Sequence, residues 1–411
     1  MVPNGWEVKK LENVVSRTRK ITYGIVVPGP YEPNGNLMIR AKDYSFGWQP
    51  IESIYRVSDK MHQSYKRSQV RKGDVLLTIV GSIGNTAIVP EDLEGANITQ
   101  QTARLSFDEH DANFFYSIMS SRIGKKEIYR YAKSGVQPSL NLADIAKFKV
   151  PVPPLPEQQK IAKILSTWDK AISTTERLIH NSTQQKKALM QQLLTGKKRL
   201  LDDSGKRFEG EWEEVTLEQA VKYRRGSFPQ PYGNPAWIDE INGYPFVQVY
   251  DIDKNMKLKP DTKIKISDAA IDKSVFIPKG TIIVSLQGSI GRVAITQYDA
   301  YVDRTILLFQ EFLIPMNKVF FAYIIQELFD IEKTKAPGGT IKTITKAVLS
   351  NFKVLIPSLE EQQKIATVLT NADKDIELLG QQLADLQKEK KALMQQLLTG
   401  KKRVVVDGEV A

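Results

Sequence analysis

Asp251, Asp261 and Lys263 come nearest to a catalytic set in this chain. An Asp followed at a distance by Asp-x-Lys is the donor pattern of a magnesium-dependent nuclease. The chain holds 47 Asp and Glu and 58 Lys and Arg, and in so charged a sequence such a pattern arises by chance. Other catalytic chemistries find no residues. There is no cysteine, hence no disulfide, thiolate metal site or thiol nucleophile. His62, His110 and His180 are scattered without ligand spacing and read as surface or packing residues. No phosphate loop of the Gly-x-x-x-x-Gly-Lys-Ser/Thr type occurs. The nearest string to a methyltransferase Asn-Pro-Pro-aromatic run is Asn234-Pro235-Ala236-Trp237, which reads as a loop. The expectation is therefore no catalytic residue, no metal and no cofactor, with the nuclease triplet as the rival.

What remains is the chemistry of binding. The net charge of +11 and the pI near 9.3 point to a polyanion, nucleic acid before membrane, against the plainer reading of a merely basic soluble protein. Two Gly-Ser-Ile-Gly strings, at 81–84 and 288–291, read as tight hairpin turns whose backbone N–H groups could also cradle a phosphate. Base edges are read by Arg on guanine and by Asn or Gln on adenine. Candidates stand in and around the loops. In the first half they are Arg17, Arg19, Lys20, Ser82, Asn85, Gln100, Gln101, Lys133, Ser134 and Gln137. In the second they are Arg224, Arg225, Gln287, Ser289, Arg292, Arg304, Lys335, Lys342 and Thr343. Taken singly each also reads as solvated surface; as a set they mark a DNA-reading surface.

The elements that must position these residues come in duplicate. Residues 186–199 recur letter for letter at 390–403, and residues 157–162 recur at 361–366. A period near half the chain signals a duplicated two-part module. Each repeat is a long helix. In the second copy Ile365, Leu369, Ala372, Ile376, Leu379, Leu383, Leu386, Leu393 and Leu397 follow a heptad seam that only Lys390 interrupts. The first copy, from Ile161 through Trp168, Thr175 and Ser182 to Leu193, has a more polar middle. Pro156 and Pro357 mark the starts, and Gly196 and Gly400 the stops. Before each helix lies an α/β block. Both blocks carry a Gly-Trp or Glu-Trp entry (Trp6, Trp212), a Lys-Gly-led buried strand running into Gly-Ser-Ile-Gly, helices near 113–126 and 317–333, and a Phe-Lys-Val strand.

With these residues in view the chain resembles the specificity subunits of type I restriction–modification systems. The resemblance rests on Pro153-Pro154-Leu155-Pro156-Glu157-Gln158-Gln159, its echo from Ile356 to Ala366, the two Leu-Leu-Thr-Gly-Lys-Lys-Arg ends and the two Gly-Ser-Ile-Gly turns. It implies tandem α/β (α+β) target-recognition domains separated by two conserved helices. Each domain would read half of a bipartite, asymmetric duplex DNA target. The helices would set the half-site spacing and dock methyltransferase subunits, expected to number two. A motor/restriction subunit would join through the complex, which as a whole would be a DNA adenine methyltransferase and endonuclease.

The expected division is 1–152, first target-recognition domain; 153–200, first helix; 201–356, second domain; 357–411, second helix and tail. The helices are expected to pair as an antiparallel coiled coil about a pseudo-two-fold axis. Parallel pairing would ask the dozen or so residues after Arg199 to travel back along about 60 Å of helix, and they reach roughly 42 Å. A cytoplasmic protein without membrane segments is the expected setting. A coiled-coil scaffold joining two protein-binding units is the alternative from another class.

Overall fold

The computed structural model describes residues 2–133, 135, 138–335 and 346–406, with side chains described for all of these except 333–335, 346 and 347. The chain divides into two compact units. One comprises residues 1–176 with 381–411, the other residues 177–380. The boundary falls inside both long helices, Leu155–Leu193 and Leu359–Leu397. Among the described residues no helix is long and apolar enough to cross a membrane.

Each unit is built on the same sheets. In the first, strands Thr22–Tyr23, Thr102–Leu105, Val75–Thr78 and Thr86–Ile88 form one sheet in that order; in the second, Val221–Arg225, Ile306–Phe312, Ile282–Ser285 and Val293–Ile295 do so. The central strands Val75–Thr78 and Ile282–Ser285 are buried throughout, which is why they read as continuous apolar runs rather than alternating ones. A second small sheet lies beside each. It comprises Asn36–Ile39, Tyr55–Val57 and Asn97–Ile98 in the first unit, and Tyr244–Val247, Ile264–Ile266, Ala300–Val302 and Val275–Ile277 in the second. In both, the first of these strands runs parallel to the strand that leads into the central sheet. A two-stranded ribbon closes each block onto its helix: Glu7–Lys10 with Lys149–Val152, and Glu213–Thr216 with Lys353–Ile356.

The amphipathic segment near 113–126 departs from the single helix that its periodicity predicts. It is two helices, Ala112–Ser120 and Arg122–Tyr131, whereas its counterpart Lys318–Lys335 is one. Ser121 makes the break. Its backbone is extended, its hydroxyl donates to Ile118 O at 2.6 Å, and it accepts from Ile123 N at 3.0 Å, ending one helix and capping the next.

The long helices are antiparallel within each unit. In the first, Asp169 pairs with Lys390, and Glu157 at the start of the first helix pairs with Arg403 beyond the end of the second. In the second, Lys186 pairs with Asp373 (2.5 Å) and Arg199 with Glu361 (2.7 Å). Lys390, which interrupts the apolar seam, thus holds an acid on the facing helix, and its repeat-mate Lys186 does the same. The repeated Glu-Gln pair is structural too. Glu157 accepts from the Trp6 indole (3.2 Å) and from Arg403 Nε (2.8 Å); Glu361 accepts from the Trp212 indole (3.2 Å) and from Arg199 Nε and Nη2 (2.7 and 2.8 Å). Gln158 and Gln362 each donate to the carbonyl five residues back, Pro153 or Pro357, and accept the backbone N–H of Asp111 or Asn317. The apolar core of the first unit joins Trp6, Phe114, Phe148, Ile161 and Leu165 to Leu397 and Leu398. In the second, Phe320, Val354, Ile365 and Leu369 enclose Met190, Leu193 and Leu194.

Candidate nucleic-acid interface

Three loops meet at one end of the central sheet in each unit, and the same backbone bonds hold them. The first is the turn after Ile98 or Val302. Thr99 N donates to Ile39 O (3.2 Å) as Asp303 N does to Val247 O (3.1 Å), and Thr102 N to Thr99 O (3.1 Å) as Ile306 N to Asp303 O (3.0 Å). Ile79 N reaches Gln101 O as Leu286 N reaches Thr305 O, both at 2.8 Å. These bonds equate Thr99-Gln100-Gln101 with Asp303-Arg304-Thr305.

The second loop is a capped turn. Arg40 N donates to Asp43 Oδ2 and Gln248 N to Asp251 Oδ2, each at 2.8 Å, so Arg40 to Asp43 correspond to Gln248 to Asp251. The third is Gly-Ser-Ile-Gly. Gly84 N bonds Thr78 O and Gly291 N bonds Ser285 O, both at 2.9 Å, and all four glycines have positive φ, between 68° and 92°. Asn85 donates to Ser45 Oγ (3.1 Å) and Arg292 to Ile252 O (3.0 Å), tying the third loop to the second.

The edge strand also matches. Gly24 and Gly226 sit where an added Cβ would collide with Ile98 O or Val302 O, so Thr22-Tyr23 stand where the second unit has Arg224-Arg225. In the first unit Tyr44 pins the capped turn to the sheet through Thr78 (2.9 Å) and Thr102 (3.0 Å), and burial pushes its hydroxyl up to about 12.

The sequence candidates divide accordingly. Gln100 and Gln101 are exposed and line a groove of about 390 Å³ with Ile25, Val26, Met38, Arg40, Lys42 and Tyr55. Ser82 is exposed on the neighbouring turn. Lys133 is exposed and bridges to Ser139, whose segment meets the same turn through Gly81 N and Pro138 O (3.0 Å). In the second unit Arg224, Arg225, Ser289 and Arg304 are exposed on the equivalent elements, and Gln287 is half-buried beside them. Asn85, half-buried, and Arg292, exposed, each give one side-chain nitrogen to the anchoring bonds. Ser134, Gln137, Lys342 and Thr343 lie outside the described residues, as does the side chain of Lys335.

Arg17, Arg19 and Lys20 are not brought to this cluster. They lie at the opposite end of the sheet, where Arg19 binds Asp74 (2.8 Å) and Gln69 O (3.0 Å), and Asp74 precedes the strand that leads to the loops. Arg104, buried beside them, donates to Arg67 O and Gln69 O, and burial pushes it down to about 10.

Sequence reasoning missed Lys42, Tyr232, Gln248 and Tyr250. In the second unit Tyr232, Gln248 and Tyr250 build a network under Arg304: Tyr232 donates to Asp303 (3.2 Å), Gln248 to the Tyr232 hydroxyl (3.3 Å) and Tyr250 to Gln248, while the Arg304 guanidinium sits 5.3 Å from the Tyr232 ring centre. Burial raises Tyr250 to about 12, with Asp251 and Tyr232 adding to it. The only available signal was the shared Asp43 and Asp251, in strings otherwise unlike. Asp251 itself is used by the fold. It is 1% exposed, accepts from Gln248 N and Lys263 N, and burial raises its carboxyl. Lys263 stands over the Tyr250 ring, 5.2 Å from its centre, and Asp261 faces solvent. The nuclease triplet is therefore a capped turn and its neighbours.

The comparisons with known proteins agree with this organisation. Residues 3–181 and 209–388 each match the model of the type I restriction modification DNA specificity domain. The putative type I restriction enzyme MjaX specificity subunit of Methanocaldococcus jannaschii is 29% identical over 424 residues, covering 98% of this chain and 95% of that protein. The type I restriction enzyme EcoBI specificity subunit of Escherichia coli is 30% identical over 196 residues, 47% of this chain and 41% of that one. The fold is that of a solved type I R-M system chain (17% identity, 98% of this chain and 100% of that one, TM-score 0.60). It is also that of the type I restriction–modification S subunit from M. genitalium (14%, 97% and 98%, TM-score 0.57). With the family model matched twice and most of the chain covered, this protein belongs to the type I restriction modification DNA specificity family and carries its domain in two copies.

Proposed function

We propose that the chain is the sequence-reading, non-catalytic subunit of a type I restriction–modification complex, and that each unit reads one half of a bipartite, asymmetric duplex through its three-loop cluster. One observation carries this reading. Identical backbone bonds hold the loops in both units, yet the side chains at matched positions differ: exposed Gln100 and Gln101 against exposed Arg304 and half-buried Thr305, half-buried Thr22-Tyr23 against exposed Arg224-Arg225. One scaffold with two sets of readers is what a target of two unlike halves requires. The net charge of +11 supplies attraction to the phosphates.

The working division is 1–152 and 201–356 for the readers, and 153–200 and 357–411 for helices that set the half-site spacing. The helices dock methyltransferase subunits, two in number, and a restriction subunit joins through the complex in the cytoplasm. The test is methylation mapping with the full complex. Replacing residues 5–150 by the block of a relative changes one half of the methylated sequence and leaves the other half alone. A swap that alters both halves, or duplex binding that does not weaken with added salt, overturns the proposal in favour of a protein scaffold.

A further inference from the structure

The equivalence of the two loop clusters says more than that the readers differ, because it sets unlike chemistry at matched positions. We infer that the first unit's turn reads an adenine and that the second unit's turn and edge strand read guanine. This rests on the recognition function proposed above.

At the turn, Gln100 matches Arg304, as the shared bonds of Thr99 with Asp303 and of Gln101 with Thr305 require. Both Gln100 and Gln101 are exposed, and among the described residues neither side chain has a hydrogen-bond partner, so both amides are available. An amide presents one donor and one acceptor side by side, the complement of adenine N6 and N7. Arg40 lines the same groove over the Tyr55 ring (5.2 Å to its centre), but it keeps no two adjacent N–H groups for a base edge. Its Nε and Nη2 bind both oxygens of Asp43 (3.1 and 3.0 Å), and Nη2 also reaches Ser53 O. Lys42, exposed beside the groove, is a point charge on a flexible stem and suits a phosphate. The edge strand of the first unit offers Thr22 and Tyr23, which carry no charge.

In the second unit the balance is reversed. Gln248, its amide nearest the turn, is occupied by Tyr232, Asp303 and Tyr250. Arg304 is exposed and oriented by the Tyr232 ring, which the buried Asp303 holds from below. Arg224, exposed on the edge strand, bonds only the Arg225 carbonyl (3.4 Å) among the described residues. A guanidinium held on an aromatic face presents two parallel N–H groups, the complement of guanine O6 and N7.

The experiment selects bound duplexes from a pool randomised over both half-sites, using the full chain assembled with its methyltransferase subunits. The wild-type complex is expected to select a target in which Arg304→Gln relaxes one G·C pair, and Gln100→Ala with Gln101→Ala relaxes an A·T pair in the other half. Each relaxation is expected to be roughly 5- to 150-fold at that position. Arg304→Lys, which keeps the charge, should lose the guanine preference with a smaller loss of affinity. Thermal melting of each variant separates lost reading from lost folding. If Arg304→Gln relaxes an A·T pair or no pair, or if the Gln variants relax a G·C pair, the inference is overturned while the recognition function stands. If the wild-type complex selects no sequence, both fall.

Discussion

The carboxylate of Glu361 is the point where the second unit joins the start of one long helix to the end of the other, so its removal should be felt across that unit. Its side chain is 1% exposed and takes two charge-assisted hydrogen bonds from Arg199, at 2.7 and 2.8 Å, and a third from the Trp212 indole at 3.2 Å. Breaking one partner of a buried ion pair costs about 3–5 kcal/mol. Glu361→Gln keeps an acceptor for one of the three donors. Arg199, 20% exposed, also keeps its bonds to Gly210 O and Glu209 O. Both facts place the cost at the low end, about 3 kcal/mol. Two bonds to a charged group at ~1.5–3 kcal/mol each, reduced for that residual solvation, give a coupling between Glu361 and Arg199 of about 2 kcal/mol. Glu157→Gln in the first unit should cost less, since Arg403 is 43% exposed against 20% for Arg199.

A double-mutant cycle of Glu361→Gln with Arg199→Met, followed by urea unfolding, measures this. The two units need not unfold together, so the probe must be local. Uniform 5-fluorotryptophan labelling gives five fluorine signals, of which Trp212 reports on the second unit and Trp6 on the first. A coupling below about 0.5 kcal/mol would refute the reasoning. So would a larger loss for Glu157→Gln than for Glu361→Gln, because either result would mean that burial does not set the strength of the lock.

The other predictions follow the same geometry. Gly196 and Gly400 both close a long helix at φ 69°, so Ala at either costs about 1–2 kcal/mol; Gly400→Ala should cost more, since its Cβ would collide with Pro3 whereas that of Gly196 would meet the Trp212 ring at 3.4 Å. Comparing the melting temperatures of the two variants checks this. Asp251→Ala removes the cap of the turn under Arg304 and should cost about 2 kcal/mol, against less than ~0.5 kcal/mol for the exposed Asp261→Ala; equal losses in thermal melts would contradict the structural role given to Asp251. With no native cysteine to interfere, Asp169→Cys with Lys390→Cys should be joined within one chain by a short bismaleimide crosslinker, and crosslinking solely between chains would argue against the antiparallel pairing.

The frame of the molecule was legible because its duplicated letters serve duplicated contacts. Trp6, Glu157 and Arg403 form one lock, and Trp212, Glu361 and Arg199 the other, so the Glu-Gln and Lys-Lys-Arg strings and the entry tryptophans stand in both halves for one physical reason. The small sheets were not legible. Strands such as Tyr55–Val57 and Asn97–Ile98 are too short to display a period of two, and the pairing of Asn97–Ile98 is decided by a partner far away in sequence. The break at Ser121 was hidden for the opposite reason. The apolar spacing of Phe115, Ile118, Met119 and Ile123 continues across it, and only the side-chain bonds of one serine interrupt the helix.

The candidate interface shows where composition stops being informative. A basic run states the sign of a charge and nothing about where the charge points. Arg17, Arg19 and Lys20 look in sequence much like Lys222, Arg224 and Arg225. Yet Arg19 is turned inward by Asp74, fifty-five positions away, while Arg224 stands exposed on a strand that ends at the loop cluster. The glycine turns, by contrast, were informative beyond their own residues. The backbone after each must return into the sheet next to the capped turn, and Asn85 and Arg292 make that tie by different atoms. Gln100 and Gln101 came to notice as amides able to pair with adenine, in and around the loops. Their standing as readers depends on a fact outside any local pattern, that the register of the two central sheets sets them against Arg304 and Thr305. In a duplicated chain, unlike residues at positions made equivalent by backbone bonding are a stronger indication of reading than polarity or charge, because the shared scaffold removes packing as the reason for the difference.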